Sequence, residues 1–170
     1  MADWRTRTAI VRAVLGAVLV ACGAGQVQAR DLVVGLLPAE NNEDMVKRFE
    51  PMRAYLEKKL GEKVKVFTAT DYTGVIEAMR KKRVDVAWFG PLSYLLAEQE
   101  AGAEAFAVGI RAGSNSPTYK SIIVTRCGSG IRTLKDLKGK SVAFVDPAST
   151  SGGLVPTYMV KQATGVMPQD

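Results

Sequence analysis

The sequence predicts an α/β protein built on a mainly parallel sheet with helices on both faces. Three observations carry that prediction. Apolar, β-branched segments alternate with amphipathic helical ones along most of the chain, and the connections between them are short. The first such segment, Asp31–Leu37, is a nearly continuous apolar run ending at Pro38, the pattern of a central strand buried on both sides. The composition agrees: 47% of the 170 residues are hydrophobic and 24% charged, which is globular rather than disordered.

The elements follow in order. After Asp31–Leu37, Asn41 and Asn42 can cap a helix whose apolar stripe is Met45, Phe49, Met52, Leu56 and Leu60, stopped by Gly61. Pro51 falls inside it and is expected to kink or split it. Val64–Thr70 reads as the second strand. Asp71–Lys82 reads as a short amphipathic helix with Val75, Ile76 and Met79 inward, and its basic end, Arg80–Arg83, complements the helix dipole. Val84–Phe89 is the third expected strand, broken by Gly90-Pro91, and Leu92–Glu100 the next helix. Strands are then expected at Ala103–Ile110, Ser121–Thr125 and Ser141–Val145, with a turn cluster at Gly113–Pro117 and a short helical turn at Thr133–Leu137. A last helix begins near Gly153, where Pro156 implies either a kink or a later start. A second sheet thus receives only one or two strands and a single helix, so the chain reads as a fragment.

Residues 1–29 read as an export signal. Arg5, Arg7 and Arg12 precede the apolar run Ala13–Ala21, which is far short of the roughly 20 residues of a membrane span. Val27-Gln28-Ala29 supplies small residues for cleavage before Arg30. Leu19-Val20-Ala21-Cys22-Gly23 instead resembles a lipobox, in which a 1–21 signal is removed and Cys22 is lipidated. Both routes remain open, and both place the mature protein outside the cytoplasm. Cleavage before Arg30 removes three arginines and Asp3, taking the formal charge from +6 to +4. The remaining cations form no run interleaved with aromatics, so no nucleic-acid partner is expected. The absence of histidine excludes His-based acid–base chemistry and any His-ligated metal site in these residues. No cofactor and no metal are expected. Cys127 is left alone beside Gly128 and reads as a tolerated loop residue.

The segment with the most chemistry is Asp146–Gly153, Asp-Pro-Ala-Ser-Thr-Ser-Gly-Gly, between an expected strand and an expected helix. Ser149, Thr150 and Ser151 can each donate an O–H bond, while Gly152 and Gly153 let a ligand approach the backbone. Outward N–H groups and the helix dipole add partial positive charge. An ordinary N-cap with a flexible lead-in is the alternative, but the run of three hydroxyls before two glycines favours the anion site. Asp71-Tyr72, Trp88-Phe89-Gly90 and Asp146–Gly153 all follow the carboxyl ends of expected strands, where open α/β sheets bind ligands. Asp146 is expected to be structural, because a carboxylate facing an anion would repel it.

Several motifs together resemble the substrate-binding subunits of bacterial ABC importers for phosphonate, phosphite and phosphate. They are Gly35-Leu36-Leu37-Pro38, Asp71-Tyr72-Thr73-Gly74-Val75-Ile76-Glu77, Asp85-Val86-Ala87-Trp88-Phe89-Gly90, Ser116-Pro117-Thr118-Tyr119-Lys120-Ser121 and Asp146–Gly152. The more general Leu134–Lys140 segment supports them. The likeness runs from about Asp31 to Gly165. It implies two α/β lobes of the type II periplasmic-binding-protein architecture, with ligand held in the cleft between them. Residues 30–120 would form the first lobe, and 121–170 the crossover and the start of the second.

The resemblance further implies that Ser149 and Thr150, with Ser151, grip the oxyanion, and that Tyr72 and Tyr119 face it from the first lobe. Trp88 is a weaker candidate, since it reads equally well as cleft wall. Tyr72 could otherwise simply start a helix, and Tyr119 could cover a turn. The implied partners are a phosphonate-type ligand and the permease and ATPase of an ABC importer. The membrane would be met only through a lipid anchor or through docking to the permease. Two other classes fit less well. A sensor input domain would continue into a membrane span and signalling segments. An enzyme using Asp71 or Asp85 as base lacks a carboxylate pair beside a nucleophile.

Overall fold

In the computed structural model, which describes residues 30–110 and 112–168, strand β1 (Leu32–Leu36) lies at the centre of a three-stranded sheet. It pairs in parallel with β2 (Val64–Thr68), Leu32 opposite Val64 and Leu36 opposite Thr68. On its other side it pairs in parallel with β3 (Val86–Trp88), Val34 opposite Val86 and Leu36 opposite Trp88. The export signal, with Cys22 and both processing routes, lies outside the described residues. Residues Asp31–Asp170 form one compact unit.

The two faces of β1 are covered as the alternation of a strand requires. Val34 and Leu36 join Val64 in a core packed by Met45, Phe49 and Leu56 of helix α1 (Asn42–Leu60). Gly35 points the other way, against Val75 of helix α2 (Tyr72–Arg80) and against Val84. A Cβ at position 35 would sit 2.8 Å from Val75 Cγ1, so glycine is what allows α2 to lie close on the sheet. Val75 and Ile76 are fully buried there. Each contributes about 1.5–3 kcal/mol relative to an exposed side chain.

The helix ends carry the expected chemistry. Asn41 caps α1 by accepting from the Glu43 and Asp44 N–H groups, and Gly61 ends it at φ 71°. Asp71 caps α2 by accepting from the Gly74 N–H at 2.7 Å. Helix α3 (Pro91–Ala101) starts on Gly90-Pro91, where the missing N–H of proline costs nothing, and ends on Gly102 at φ 65°. Between α1 and β2, Glu57 accepts from the Val64 N–H at 3.0 Å while pairing with Arg53 at 2.8 Å, which fixes where β2 begins.

Two expectations need correction. Pro51 does not split α1, which runs unbroken through it. Met45, Phe49 and Leu56, packed against the core of β1 and β2, hold the helix together despite the absent N–H, while Met52 and Leu60 of the expected stripe stand exposed. The expected strands Ala103–Ile110, Ser121–Thr125 and Ser141–Val145 join no sheet among the described residues. β-Propensity records how well a side chain fits a paired, half-buried surface, and these segments find no partner backbone here. Their apolar residues, Phe106, Val108, Ile122 and Val124 among them, stand exposed.

After the 3₁₀ turn Leu134–Leu137 comes a π-helical turn, Thr150–Leu154, leading directly into helix α4 (Val155–Thr164). Pro156 sits in the first turn of α4, where its N–H would have had no helical partner, so the helix begins later than Gly153.

Pro51 supplies a test of α1. A proline inside a helix costs about 3 kcal/mol, and replacing it returns up to about 1 kcal/mol of entropy to the unfolded chain. Pro51→Ala is therefore expected to stabilise the full-length protein by about 2 kcal/mol in urea denaturation. A lowered midpoint would contradict an unbroken α1.

Candidate functional site

The loop Asp146–Gly153 is a closed, internally bonded structure. The Asp146 carbonyl accepts from the Ser149 N–H at 2.9 Å, and the Gly152 carbonyl from the Val145 N–H at 2.8 Å. Ser149 acts as an N-cap: its Oγ accepts from the Gly152 N–H at 3.1 Å, and its carbonyl from the Leu154 N–H at 2.9 Å. Both glycines are required by space. A Cβ on Gly153 would sit 2.2 Å from the Asp146 carbonyl oxygen, and one on Gly152 would sit 2.5 Å from Val145 Cγ2. The Gly152 N–H is thus occupied by Ser149, and its missing side chain accommodates Val145 rather than opening the backbone to solvent.

Hydrogen bonds to three other segments fasten this loop. Asp146 is turned away from the pocket onto backbone: its Oδ2 accepts from the Tyr72 N–H at 3.1 Å, at the start of α2, and its Oδ1 from the Ala148 N–H at 2.7 Å. Thr150 Oγ1 accepts from the Leu92 N–H at 2.8 Å, at the start of α3. Ser121 Oγ donates to the Ser151 carbonyl at 2.7 Å. The helix starts after β2 and β3 therefore both donate to a loop more than fifty residues further along the chain.

This anchoring gathers hydroxyl groups at one place. Around Gly90, a Cβ would meet Thr150 Oγ1, Tyr119 Oη and Ser93 Oγ, each at 3.7 Å. Ser93 is fully buried, and its hydroxyl is engaged with the Gly90 N–H and carbonyl at 3.0 and 3.1 Å. It holds the turn that starts α3. Thr150, by contrast, uses its oxygen as an acceptor for Leu92, which leaves its proton to donate. Tyr119 is 42% exposed beside it.

Tyr72 is only 6% exposed and its phenol meets the Ser149 hydroxyl. Burial pushes the Tyr72 phenol up from its ordinary range; the bond from Ser149 offsets part of that rise, while the Asp146 charge and Tyr119 add to it. Tyr72 is therefore a neutral donor at physiological pH.

The structure thus brings Tyr72 to Ser149 and Tyr119 to Thr150. Beside them a cavity of about 1160 Å³ has Trp88, Gly90, Tyr119 and Ser151 in its wall. Trp88 lies 68% exposed at the end of β3, its ring against the Gly109 backbone, where a Cβ would be 2.3 Å away. That contact makes it a wall of the cavity. The sequence places Gly90 at this edge but gives no role to Ser93 or Ser121. The signal for Ser93 was present, since a serine three residues after a Gly-Pro helix start can bond back to the N-cap. Nothing local marked Ser121, whose partner is thirty residues away.

This geometry can be set against known proteins. Residues 34–170 match the family described as "ABC transporter, phosphonate, periplasmic substrate-binding protein", and the chain belongs to that family. It is 38% identical over 147 residues to the phosphonates-binding periplasmic protein of Escherichia coli, covering 84% of this chain and 43% of that protein. It is 41% identical over 129 residues to the phosphate-import protein PhnD of Mycolicibacterium smegmatis, covering 74% of this chain and 40% of that one. The crystal structure of a binding protein component of an ABC phosphonate transporter from Pseudomonas aeruginosa superposes with a TM-score of 0.72 at 33% identity. That match covers 81% of this chain and 46% of the other. The chain therefore spans less than half the length of these relatives. Their names describe a phosphonate-binding periplasmic protein, a phosphate-import protein and the binding component of a phosphonate transporter.

Gly153 gives the most local test of the loop. Gly153→Ala places a methyl group against the Asp146 carbonyl, an overpacking that costs about 1–3 kcal/mol. The variant of the full-length protein is expected to melt earlier and to lose the ordered loop in hydrogen exchange at Ser149 and Gly152. Wild-type protection at both amides would show that the loop has another shape.

Proposed function

We propose that this chain carries the ligand-gripping part of an extracytoplasmic solute-binding protein, which captures a phosphonate, phosphite or phosphate and delivers it to the permease and ATPase of an ABC importer. The observation that supports this most is the meeting of uncharged hydroxyls from separate elements, Tyr72 and Tyr119 with Ser149 and Thr150, on the edge at which β2 and β3 end. A tetrahedral oxyanion needs several donors converging from different directions. Neutral donors bind it without an opposite charge having to be stripped of water on each cycle, which suits a carrier that must also release. The phenol of Tyr119 adds one directed donor and an apolar face for the substituent on phosphorus.

In this reading Ser149, Thr150 and Ser151 hold the oxygens, Tyr72 and Tyr119 meet them from the first lobe, and Trp88 walls the site. Residues 30–120 belong to the first lobe and 121–170 begin the second. The working step is closure of the two lobes around the ligand, with no bond made or broken. The family's periplasmic character supports export, with either cleavage before Arg30 or lipidation of Cys22 as the processing step. The names of the relatives favour a transport receptor over a sensor input or an enzyme.

Single alanine replacements of Ser149, Thr150 and Ser151 in the full-length protein are expected to weaken methylphosphonate or phosphate binding. Each lost buried bond should cost about 1–3 kcal/mol in calorimetry. Unchanged affinity in all three variants would remove the loop from the site.

A further inference from the structure

The N-terminus of α2, directly beside the hydroxyl cluster, is already occupied by two carboxylates. Asp71 Oδ1 accepts from the Gly74 N–H and Asp146 Oδ2 from the Tyr72 N–H. A helix start is ordinarily a place where an anion is welcomed. Here two of its first-turn N–H groups, those of Tyr72 and Gly74, are taken by the protein's own anions. Neither carboxylate is ion-paired to a lysine or arginine among the described residues.

The other elements around the loop do not neutralise them. Helix α3 presents the Leu92 N–H and the Ser93 hydroxyl, neither of which titrates. The segment before the loop presents Tyr119. Helix α4 carries Tyr158 and Lys161, both exposed and neither bonded to Asp71 or Asp146. The charge of Asp146 is felt at the Tyr72 phenol, so it reaches the place where the oxyanion would sit.

We propose that Asp146, together with Asp71, sets the charge selectivity of the site, so that it takes the singly charged form of a phosphorus oxyanion in preference to the doubly charged form. This rests on the oxyanion-binding reading above. Each added negative charge on the ligand meets the Asp146 carboxylate, with Asp71 on the same helix start, while the gripping groups are neutral and gain far less from that charge than an arginine would. The singly charged form also carries a P–O–H group, which needs an acceptor. Hydroxyl oxygens, unlike N–H groups or cations, supply one. Asp146 is a positioning and field-setting residue here: it touches the loop and α2, not the ligand.

The test is calorimetry on the full-length protein from pH 5.5 to 8.5 with methylphosphonate and with phosphite, whose second ionisations fall at different pH values. If only the singly charged form is competent, apparent affinity falls about tenfold for each pH unit above the second ionisation of the ligand. The onset should track each ligand separately. Asp146→Asn should make the fall shallower, with Asp71→Asn as the second variant should the first fail to fold. Affinity that is flat or rises with pH overturns the inference. So does an onset common to both ligands, which would belong to the protein. If only one ligand binds, an unaltered slope in both variants overturns it. Absence of binding by either ligand at every pH would instead bring down the oxyanion reading itself.

Discussion

Two hydrogen bonds across long stretches of chain decide what this protein can present to a ligand. The Asp146 carboxylate accepts from the Tyr72 N–H, and the Thr150 hydroxyl accepts from the Leu92 N–H. Both donors are first-turn N–H groups, which a helix cannot satisfy internally. The loop satisfies them, and in return the helices hold the loop at one position and orientation. Without these contacts Ser149, Thr150 and Ser151 would be three polar residues on a surface turn. With them, the hydroxyls meet Tyr72 and Tyr119 in a fixed arrangement.

The parallel sheet makes that arrangement geometrically possible. Because β2 and β3 run parallel to β1, the helices that follow them, α2 and α3, start on the same edge. Their positive ends therefore lie side by side. The close approach of α2 depends on Gly35, which leaves room for Val75 against the middle of β1. Packing in the core thus sets the position of Tyr72, and through Asp146 the position of the loop. A chain of contacts runs from a glycine in the central strand to the hydroxyls of the site.

Much of this was legible in the sequence, and what was hidden was hidden for identifiable reasons. Helices α1 to α3 and strands β1 to β3 announce themselves through local periodicity and caps, Asn41, Gly61, Asp71 and Gly90-Pro91 among them. The Ser-Thr-Ser-Gly-Gly run marks its own chemistry, and the family motifs around it lie between Gly35 and Gly152. What could not be read is what depends on partners far away in sequence. The strand-like segments around Phe106, Ile122 and Phe144 have the right residues but no ladder among the described residues, and propensity alone does not make a strand. The roles of Asp146, Ser121 and the Leu92 N–H are invisible locally, since each is defined by a bond spanning thirty to seventy-four residues. Gly152 and Gly153 look like openings for a ligand in the sequence, whereas Val145 and the Asp146 carbonyl explain them by packing.

The central claim is that the hydroxyl loop, anchored on two helix starts, grips a tetrahedral phosphorus oxyanion. A crystal structure of the full-length protein with methylphosphonate tests it most directly. The account predicts phosphonate oxygens within hydrogen-bond distance of the Thr150 and Ser151 hydroxyls and of Tyr119, with the Asp146 carboxylate still on the Tyr72 N–H. A phosphonate bound away from this loop, or held chiefly by lysine or arginine, would contradict it.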